Sequence, residues 1–191
     1  MPTRLVVSLT ILFLGIAPIP ASTVWATGDS GITVVEFTRP PSPEPALVTD
    51  PITPLVIIAR AEEFGLFNLA AETAYLPDFS PAGTAWAFAG LNGNPAILGA
   101  ADFASLTFMD WKNSLGGRFA LLPNIVDRPG VLHLIEEDIY LDLTFTAWGG
   151  PGDGGSFSYT RTAGPVPEPS FVLLLLAVGP LLLPRRRRAA S

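Results

Sequence analysis

The sequence predicts an all-β protein: a single antiparallel β-sandwich-like domain with one or two short helices, flanked by an N-terminal signal peptide and a C-terminal transmembrane helix. Three observations predict this. The 191 residues include 20 prolines and 18 glycines, which favour turns over long helices. Short β-branched and aromatic runs alternate with turn residues through the middle of the chain. Apolar segments near both ends raise the mean hydropathy to +0.43.

The N-terminal segment, residues 1–26, has the three-part pattern of a secretory signal peptide. Arg4 precedes an apolar run of about a dozen residues, and prolines and small residues follow it. Val24 and Ala26 satisfy the small-residue rule for cleavage, so the sequence predicts a cut after Ala26, with a cut after Ala21 as the second choice. The run is short for a span, which needs about 20 apolar residues, and this favours removal over an uncleaved anchor.

One domain is predicted for the body, residues 27–163. Its first elements in chain order are strands at 32–38 and 55–59, a short helix within 61–74, strands at 84–89 and 104–109, and a helical turn at 110–115. β-Branched residues favour the first strand, and a continuous apolar run favours the second. Trp86 and Phe88 share one face of the third strand because strand side chains alternate. Gly116 and Gly117 are expected to end the helical turn.

The clearest pattern is a hairpin near the end of the body. A strand at 131–135 and a turn at 136–138 precede a strand at 139–147, whose strict alternation predicts a half-buried antiparallel strand. Its predicted inner face carries Ile139, Leu141, Leu143, Phe145 and Ala147. Its predicted outer face carries Tyr140, Asp142, Thr144 and Thr146. A glycine-rich loop at 149–155 then leads to a last strand at 156–161.

The charge distribution excludes some partners. The chain carries 17 acidic and 11 basic residues, but five of the bases stand near its ends. Residues 27–169 hold all the acidic residues and six bases, which gives this segment a net charge of −11. Such an acidic body is not expected to bind nucleic acid or an anionic membrane surface. The absence of cysteine excludes disulfides and thiol chemistry.

The C-terminal segment, residues 164–191, combines three features in a fixed order. Val166, Pro167, Glu168 and Pro169 form an extended peptide, since proline fixes φ and biases its predecessor. The apolar stretch 171–183 follows. As a helix it would be only about 20 Å long, which is shorter than the hydrocarbon core of a bilayer is thick. Such a short span suits a temporary anchor. Four basic residues follow the apolar stretch, and the positive-inside rule predicts that they stay cytoplasmic. They are Arg185, Arg186, Arg187 and Arg188.

This combination resembles the PEP-CTERM sorting signal of exported proteins in Gram-negative bacteria that make exopolysaccharide. Proteins with this signal resemble substrates of exosortase, a membrane-embedded protease. The resemblance implies that exosortase recognises Pro167, Glu168 and Pro169 while the inner membrane holds the chain transiently. It further implies removal of the tail, followed by release or attachment at the cell surface. Much of the body also resembles a module often found before such tails, to which no activity can be assigned.

The remaining chemical motifs in the body are weak. His133, the one histidine, could serve a catalytic triad only with a serine and Asp138 or Asp142, and no nucleophile elbow is present. The glycine loop lacks the lysine of a phosphate-binding loop and only approaches a calcium repeat. Four carboxylates near the hairpin turn could bind calcium, although a solvated turn is the simpler interpretation. They are Glu136, Glu137, Asp138 and Asp142. No metal or cofactor is therefore predicted.

The expected function is that of an exported, exosortase-processed protein of the cell surface or biofilm matrix, without enzymatic activity. Two alternatives stay open. Tyr140 and Trp148, predicted on one outer strand face, could stack on sugars in a polysaccharide-binding, lectin-like module. Alternatively, carboxylates such as Glu136 and Asp142 could serve a secreted glycan hydrolase, which requires them to face each other across a cleft.

Overall fold

The computed structural model describes residues 21–41, 48–60, 64–117, 124–150 and 152–166. These residues form a mostly β structure with antiparallel sheets and two short helices. The strands are β1 Thr23–Trp25, β2 Thr33–Arg39, β3 Asp50–Pro51, β4 Ile57–Arg60, β5 Leu66–Asn68, β6 Thr84–Phe88, β7 Pro129–Leu134, β8 Ile139–Trp148 and β9 Phe157–Ala163. The helices are a 3-10 helix, Ala100–Ser105, and an α-helix, α1, Trp111–Ser114.

Six strands form the larger sheet. Strands β2, β9, β8, β7 and β6 lie side by side in this order, and each pair is antiparallel. Strand β1 pairs in parallel with the first three residues of β8, so that Thr23 lies opposite Ile139 and Trp25 opposite Leu141. Strand β8 is therefore the centre of the fold, with β7 along one edge and β1 and β9 sharing the other.

The smaller sheet contains β3, β4 and β5 and lies against one face of the larger sheet. A single apolar cluster joins the two, since it contains Val56, Ile58 and Leu66 of the smaller-sheet region together with Trp86 and Phe145 of the larger sheet. Its other aromatic members include Trp25, Trp111, Phe157 and Tyr159. Burial of these side chains is the main term that stabilises the domain.

A second apolar cluster covers the opposite face of the larger sheet. Ala89, Leu98, Ala100 and Val131 form its buried part, and they bring the 3-10 helix onto the sheet. Asp142 of β8 holds this helix in place by accepting a hydrogen bond from the Ala100 backbone N–H at 2.6 Å. The large sheet is thus covered on both faces at its centre.

Most of the predicted strands are confirmed, with shifted ends. The helical turn is also confirmed: Asp110 accepts a hydrogen bond from the Asn113 N–H at 3.0 Å, and Gly116 and Gly117 follow with φ of 87° and 92°. The short helix within 61–74 is wrong over its described part, 64–74, where β5 and turns stand instead. The strand at 104–109 is replaced at its start by the 3-10 helix, and within it Met109 forms an isolated bridge to Trp86.

The predicted alternation of β8 is correct up to Phe145 and wrong beyond it. Phe145 lies opposite Tyr159, but Ala147 lies opposite Ser158, so Thr146 is an extra residue on the β8 side. This β-bulge shifts the phase of alternation by one residue. Ala147 is consequently exposed, and Trp148 turns to the core face instead of the outer face that strict alternation predicts.

The fold extends beyond the predicted N-terminal boundary of the body. Val24 lies in β1, and Ala26 follows it with 7% of its surface exposed. Both residues predicted to mark the end of the leader are therefore part of the folded domain. No helix in the described ranges is long and apolar enough to cross a membrane. The predicted C-terminal transmembrane helix lies outside those ranges.

Candidate functional site

The last described residues lead out of the domain towards the predicted sorting motif. Strand β9 ends at Ala163, and Val166 follows with 39% of its surface exposed. Pro167, Glu168 and Pro169 come next in the sequence and lie outside the described residues, as do Arg185, Arg186, Arg187 and Arg188. Three residues, 164–166, thus separate the end of β9 from the Pro-Glu-Pro motif.

Both ends of the described domain lie at one end of the large sheet. Strand β1 runs parallel to β8 and begins opposite Ile139, the first residue of β8. Strand β9 runs antiparallel to β8 and therefore finishes at that same end. Gly164 confirms the proximity, because a Cβ atom there would stand only 2.8 Å from Nε1 of Trp25. The chain therefore enters and leaves the domain side by side.

A polar cluster marks this end of the sheet, at the turn between β7 and β8. Asp138 Oδ2 accepts a hydrogen bond from Ser22 Oγ at 2.6 Å, and Asp138 Oδ1 lies 3.1 Å from His133 Nε2. The His133 ring stacks on Tyr140 with centroids 4.1 Å apart. The Asp138 backbone carbonyl accepts the Thr23 N–H at 2.9 Å. Asp138 therefore ties the first described residues to the turn.

The pKa values in this cluster shift in opposite directions. The hydrogen bond from Ser22 lowers the pKa of Asp138, partial burial opposes this, and hydrogen bonds with Tyr140 and His133 lower it further. Burial raises the pKa of Tyr140, and its hydrogen bond with Asp138 adds to the increase. Each shift favours an ionised Asp138 that accepts hydrogen bonds from a neutral phenol and a hydroxyl.

Although the cluster contains serine, histidine and aspartate, its order does not suit nucleophilic catalysis. A triad needs the histidine between the nucleophile and the acid, so that it can take the proton of the hydroxyl. Here Asp138 stands between Ser22 and His133, and the serine hydroxyl donates to the carboxylate. The arrangement anchors Ser22, near the start of the described domain, and does not activate its hydroxyl.

The two aromatic residues proposed as a sugar platform lie on opposite faces of the large sheet. Tyr140 packs against the second apolar cluster, where Phe103 lies 4.3 Å from it between ring centroids. Trp148 packs against the main core, and the Arg60 guanidinium lies 3.8 Å above its ring. The β-bulge at Thr146 causes this separation. Tyr140 and Trp148 cannot stack on the same sugar chain as one surface.

The carboxylates proposed for hydrolysis also stand apart. Glu136 lines an open cleft of about 210 Å³ beside the small sheet, whereas Asp142 lines a different depression, formed where β2, β9 and β8 of the large sheet lie side by side. Asp142 is already engaged, since its Oδ2 accepts hydrogen bonds from the backbone N–H and the hydroxyl of Thr27, both at 2.7 Å. The pair therefore does not face a shared substrate position.

The backbone and the aspartate of the glycine-rich loop have structural partners within the domain. The glycine loop is closed by its own backbone and by Arg60, which donates to the Gly149 and Ser156 carbonyls at 2.9 and 2.7 Å. Its aspartate, Asp153, accepts a hydrogen bond from the Gly150 N–H at 3.1 Å.

Across the described ranges, no group of three or more histidine, cysteine or acidic residues is placed to hold a metal ion.

Sequence reasoning missed one buried polar network. Asp50 of β3 accepts hydrogen bonds from the Tyr159 hydroxyl and Arg161 Nε, both at 2.6 Å, and from Arg161 Nη2 at 2.7 Å. The alternation of β9 places Tyr159 and Arg161 on one face, which was a usable signal. The partner Asp50 comes from a two-residue strand that has no periodicity to detect.

No family model matches the chain, and no curated protein or solved structure matches it either.

Proposed function

We propose that this protein is exported across the inner membrane, processed by exosortase, and then displayed at the cell surface or in the extracellular matrix. Its folded part acts in this proposal as a non-enzymatic β-sandwich-like passenger. The apolar cluster that joins the two sheets supports the sandwich description. The Pro-Glu-Pro motif, the apolar stretch and the four arginines supply the sorting signal, and their order resembles that of PEP-CTERM tails.

The observation that carries the proposal is the position of the two chain ends. Because β1 begins and β9 finishes at the same end of the large sheet, both flanking apolar segments connect to one side of the domain. A protein held at both ends by one membrane needs this geometry, since otherwise one connection would have to cross the domain. Three residues separate β9 from Pro167, which keeps the motif near the domain but outside its strands.

A second observation supports a passenger role over catalysis or sugar binding. The candidate carboxylates line different depressions, and the candidate aromatic residues lie on opposite faces. The polar cluster at Asp138 holds the chain end through Ser22. Asp142, Tyr140 and Trp148 thus have structural partners, which suits a domain whose task is to persist outside the cell.

The sequence contains its own control for a test. The tripeptide Pro167–Pro169 also occurs at Pro43–Pro45, where neither an apolar stretch nor arginines follow directly. We would replace each tripeptide by three alanines in the full chain, within cells that carry exosortase. The variant at 167–169 should remain full-length in the inner-membrane fraction, whereas the variant at 43–45 should be shortened and released like the wild type.

The measurement is fractionation combined with mass spectrometry of the C-terminus. Unchanged release of the 167–169 variant would contradict exosortase processing. A wild-type chain recovered intact from the cytosol would contradict export itself.

A further inference from the structure

The residues around the leader cleavage site belong to the core of the folded domain. Trp25 is 1% exposed and belongs to the main apolar cluster, and Ala26 is buried in the second cluster. The backbone of β1 pairs with Ile139–Leu141 of β8. A cut after Ala26 would remove all of these contacts from the mature protein.

We infer that the leader is removed between Ala21 and Ser22, so that the mature protein begins at Ser22. This inference rests on the proposed export. Ala21 is exposed, and like Ala26 it provides the small residue that signal peptidases require before the bond they cut. Of these two bonds, only the one after Ala21 leaves β1 with the domain.

The contacts of β1 show how much the domain would lose. The Trp25 carbonyl accepts a hydrogen bond from Thr162 Oγ1 at 2.5 Å, which ties β1 to β9. Gly164 packs directly against the Trp25 ring, and any larger residue there would collide with it. Without β1, one side of the first three residues of β8 would become an open sheet edge, which is prone to pairing with other chains.

The first residue of the proposed mature chain is also held. Ser22 Oγ donates to Asp138 Oδ2, and the next backbone N–H, that of Thr23, donates to the Asp138 carbonyl. Hydrolysis adds water across the peptide bond: Ala21 leaves with a carboxylate, and the nitrogen of Ser22 becomes an α-ammonium group. The new positive charge forms on the residue that already contacts the Asp138 carboxylate, an arrangement that favours both charges.

The test is the N-terminal sequence of the exported wild-type protein, read by mass spectrometry from full chains. We expect Ser22 as its first residue. A start at Thr27 would overturn the inference and leave export standing, whereas a wild-type chain that keeps its leader would overturn both.

A pair of variants distinguishes the loss of cleavage at the Ala21–Ser22 bond from a general effect of introducing an arginine. Ala21→Arg puts a large charged side chain directly before the proposed bond at an exposed position, so the exported fraction should retain the leader. Ser30→Arg places the same side chain at an exposed position beyond both candidate bonds and should yield the wild-type start at Ser22. An Ala21→Arg chain with the same first residue and the same yield as the wild type would overturn the inference, because the bond after position 21 would then not be the one that signal peptidase cuts.

Discussion

Asp50 joins the two sheets through an ionic network that is almost wholly buried. Asp50, Arg161 and Tyr159 are 5%, 6% and 1% exposed. Burial raises the pKa of Tyr159 well above its usual value, and the Asp50 charge adds to this. Burial lowers the pKa of Arg161, but the hydrogen bonds and charge of Asp50 outweigh it and raise that pKa. The network therefore keeps the Arg161 guanidinium charged inside the protein.

Removing one member of this network should be costly. Asp50→Ala would leave the Arg161 guanidinium buried without its counter-ion, and we expect the free energy of unfolding to fall by about 3–5 kcal/mol. The control is Asp78→Ala, which breaks the 2.6 Å ion pair with Lys112 at a position where the Asp78 side chain is 70% exposed. That change should cost far less, because water screens the exposed pair. Urea unfolding of both variants measures the difference, and equal losses would contradict the assignment.

Asp138 should contribute to the acid sensitivity of the fold. Because its pKa is lowered in the folded state, its stabilising effect is full above the unfolded pKa of about 4 and is lost as pH falls through the folded value. Asp138→Asn should therefore be less stable than the wild type at pH 7, with the difference shrinking as the pH falls below about 4. Unfolding midpoints at successive pH values test this. A constant difference down to pH 2 would contradict it.

At the scale of elements, Arg60 connects the smaller sheet to the hairpin of β8 and β9. It ends β4 with 1% of its surface exposed and donates to the carbonyls of Phe64, Gly149 and Ser156. Its guanidinium also lies over Trp148. One planar side chain thus satisfies backbone carbonyls from two loops and packs on a core aromatic ring.

A lysine cannot reproduce this geometry. Arg60→Lys keeps the charge but replaces a planar fork with a single ammonium group, so we expect a loss of about 2–3 kcal/mol in the free energy of unfolding. Arg128→Lys is the control, because Arg128 is only half-buried and should lose less. Thermal or urea unfolding measures both. An Arg60→Lys variant as stable as the Arg128→Lys variant would contradict this role.

The sequence predicted the elements whose patterns are local. Alternation located β6, β8 and β9, and an aspartate followed by a glycine pair located α1. The bulge at Thr146 could not be predicted because it depends on the register against β9. The helix within 61–74 failed for a related reason: Glu72 accepts hydrogen bonds from the backbone of Asn68 and of Ala82 and from Ser80 Oγ, and the two contacts beyond the segment override its helix propensity.

For the candidate site too, the part encoded by consecutive residues could be predicted, and the part that depends on strand pairing could not. The tail motif is a continuous stretch of sequence and could be identified directly. By contrast, the contact of Ser22 with Asp138 joins residues separated by 116 positions and follows only from the pairing of β1 with β8. Strand β1 has three residues, too few to show a period.

For the whole molecule, the fold makes the surface more acidic than the composition indicates. Arg39, Arg60 and Arg161 are each less than 7% exposed. The other described cations, Lys112 and Arg128, are partly buried. Most of the acidic residues in the same ranges are at least partly exposed, so the outside of the domain is strongly negative.

This surface should repel anionic polymers. We expect the purified protein to pass unretained through a resin that carries a sulfated polysaccharide at low ionic strength, and to bind an anion exchanger under the same conditions. Lysozyme, a basic protein, serves as the positive control for the sulfated resin. Retention of the purified protein on that resin, abolished by added salt, would contradict the prediction.

The contact between Gly164 and Trp25 has a consequence for protein engineering. Since the first and last described segments are neighbours, a short flexible linker could join Val166 to Ser22 and close the domain into a ring. The ring could then be reopened between Ala96 and Ile97, in an exposed loop where Ile97 is 87% exposed. Such a circular permutant would retain every strand pair while moving its free ends to the loop that follows β6.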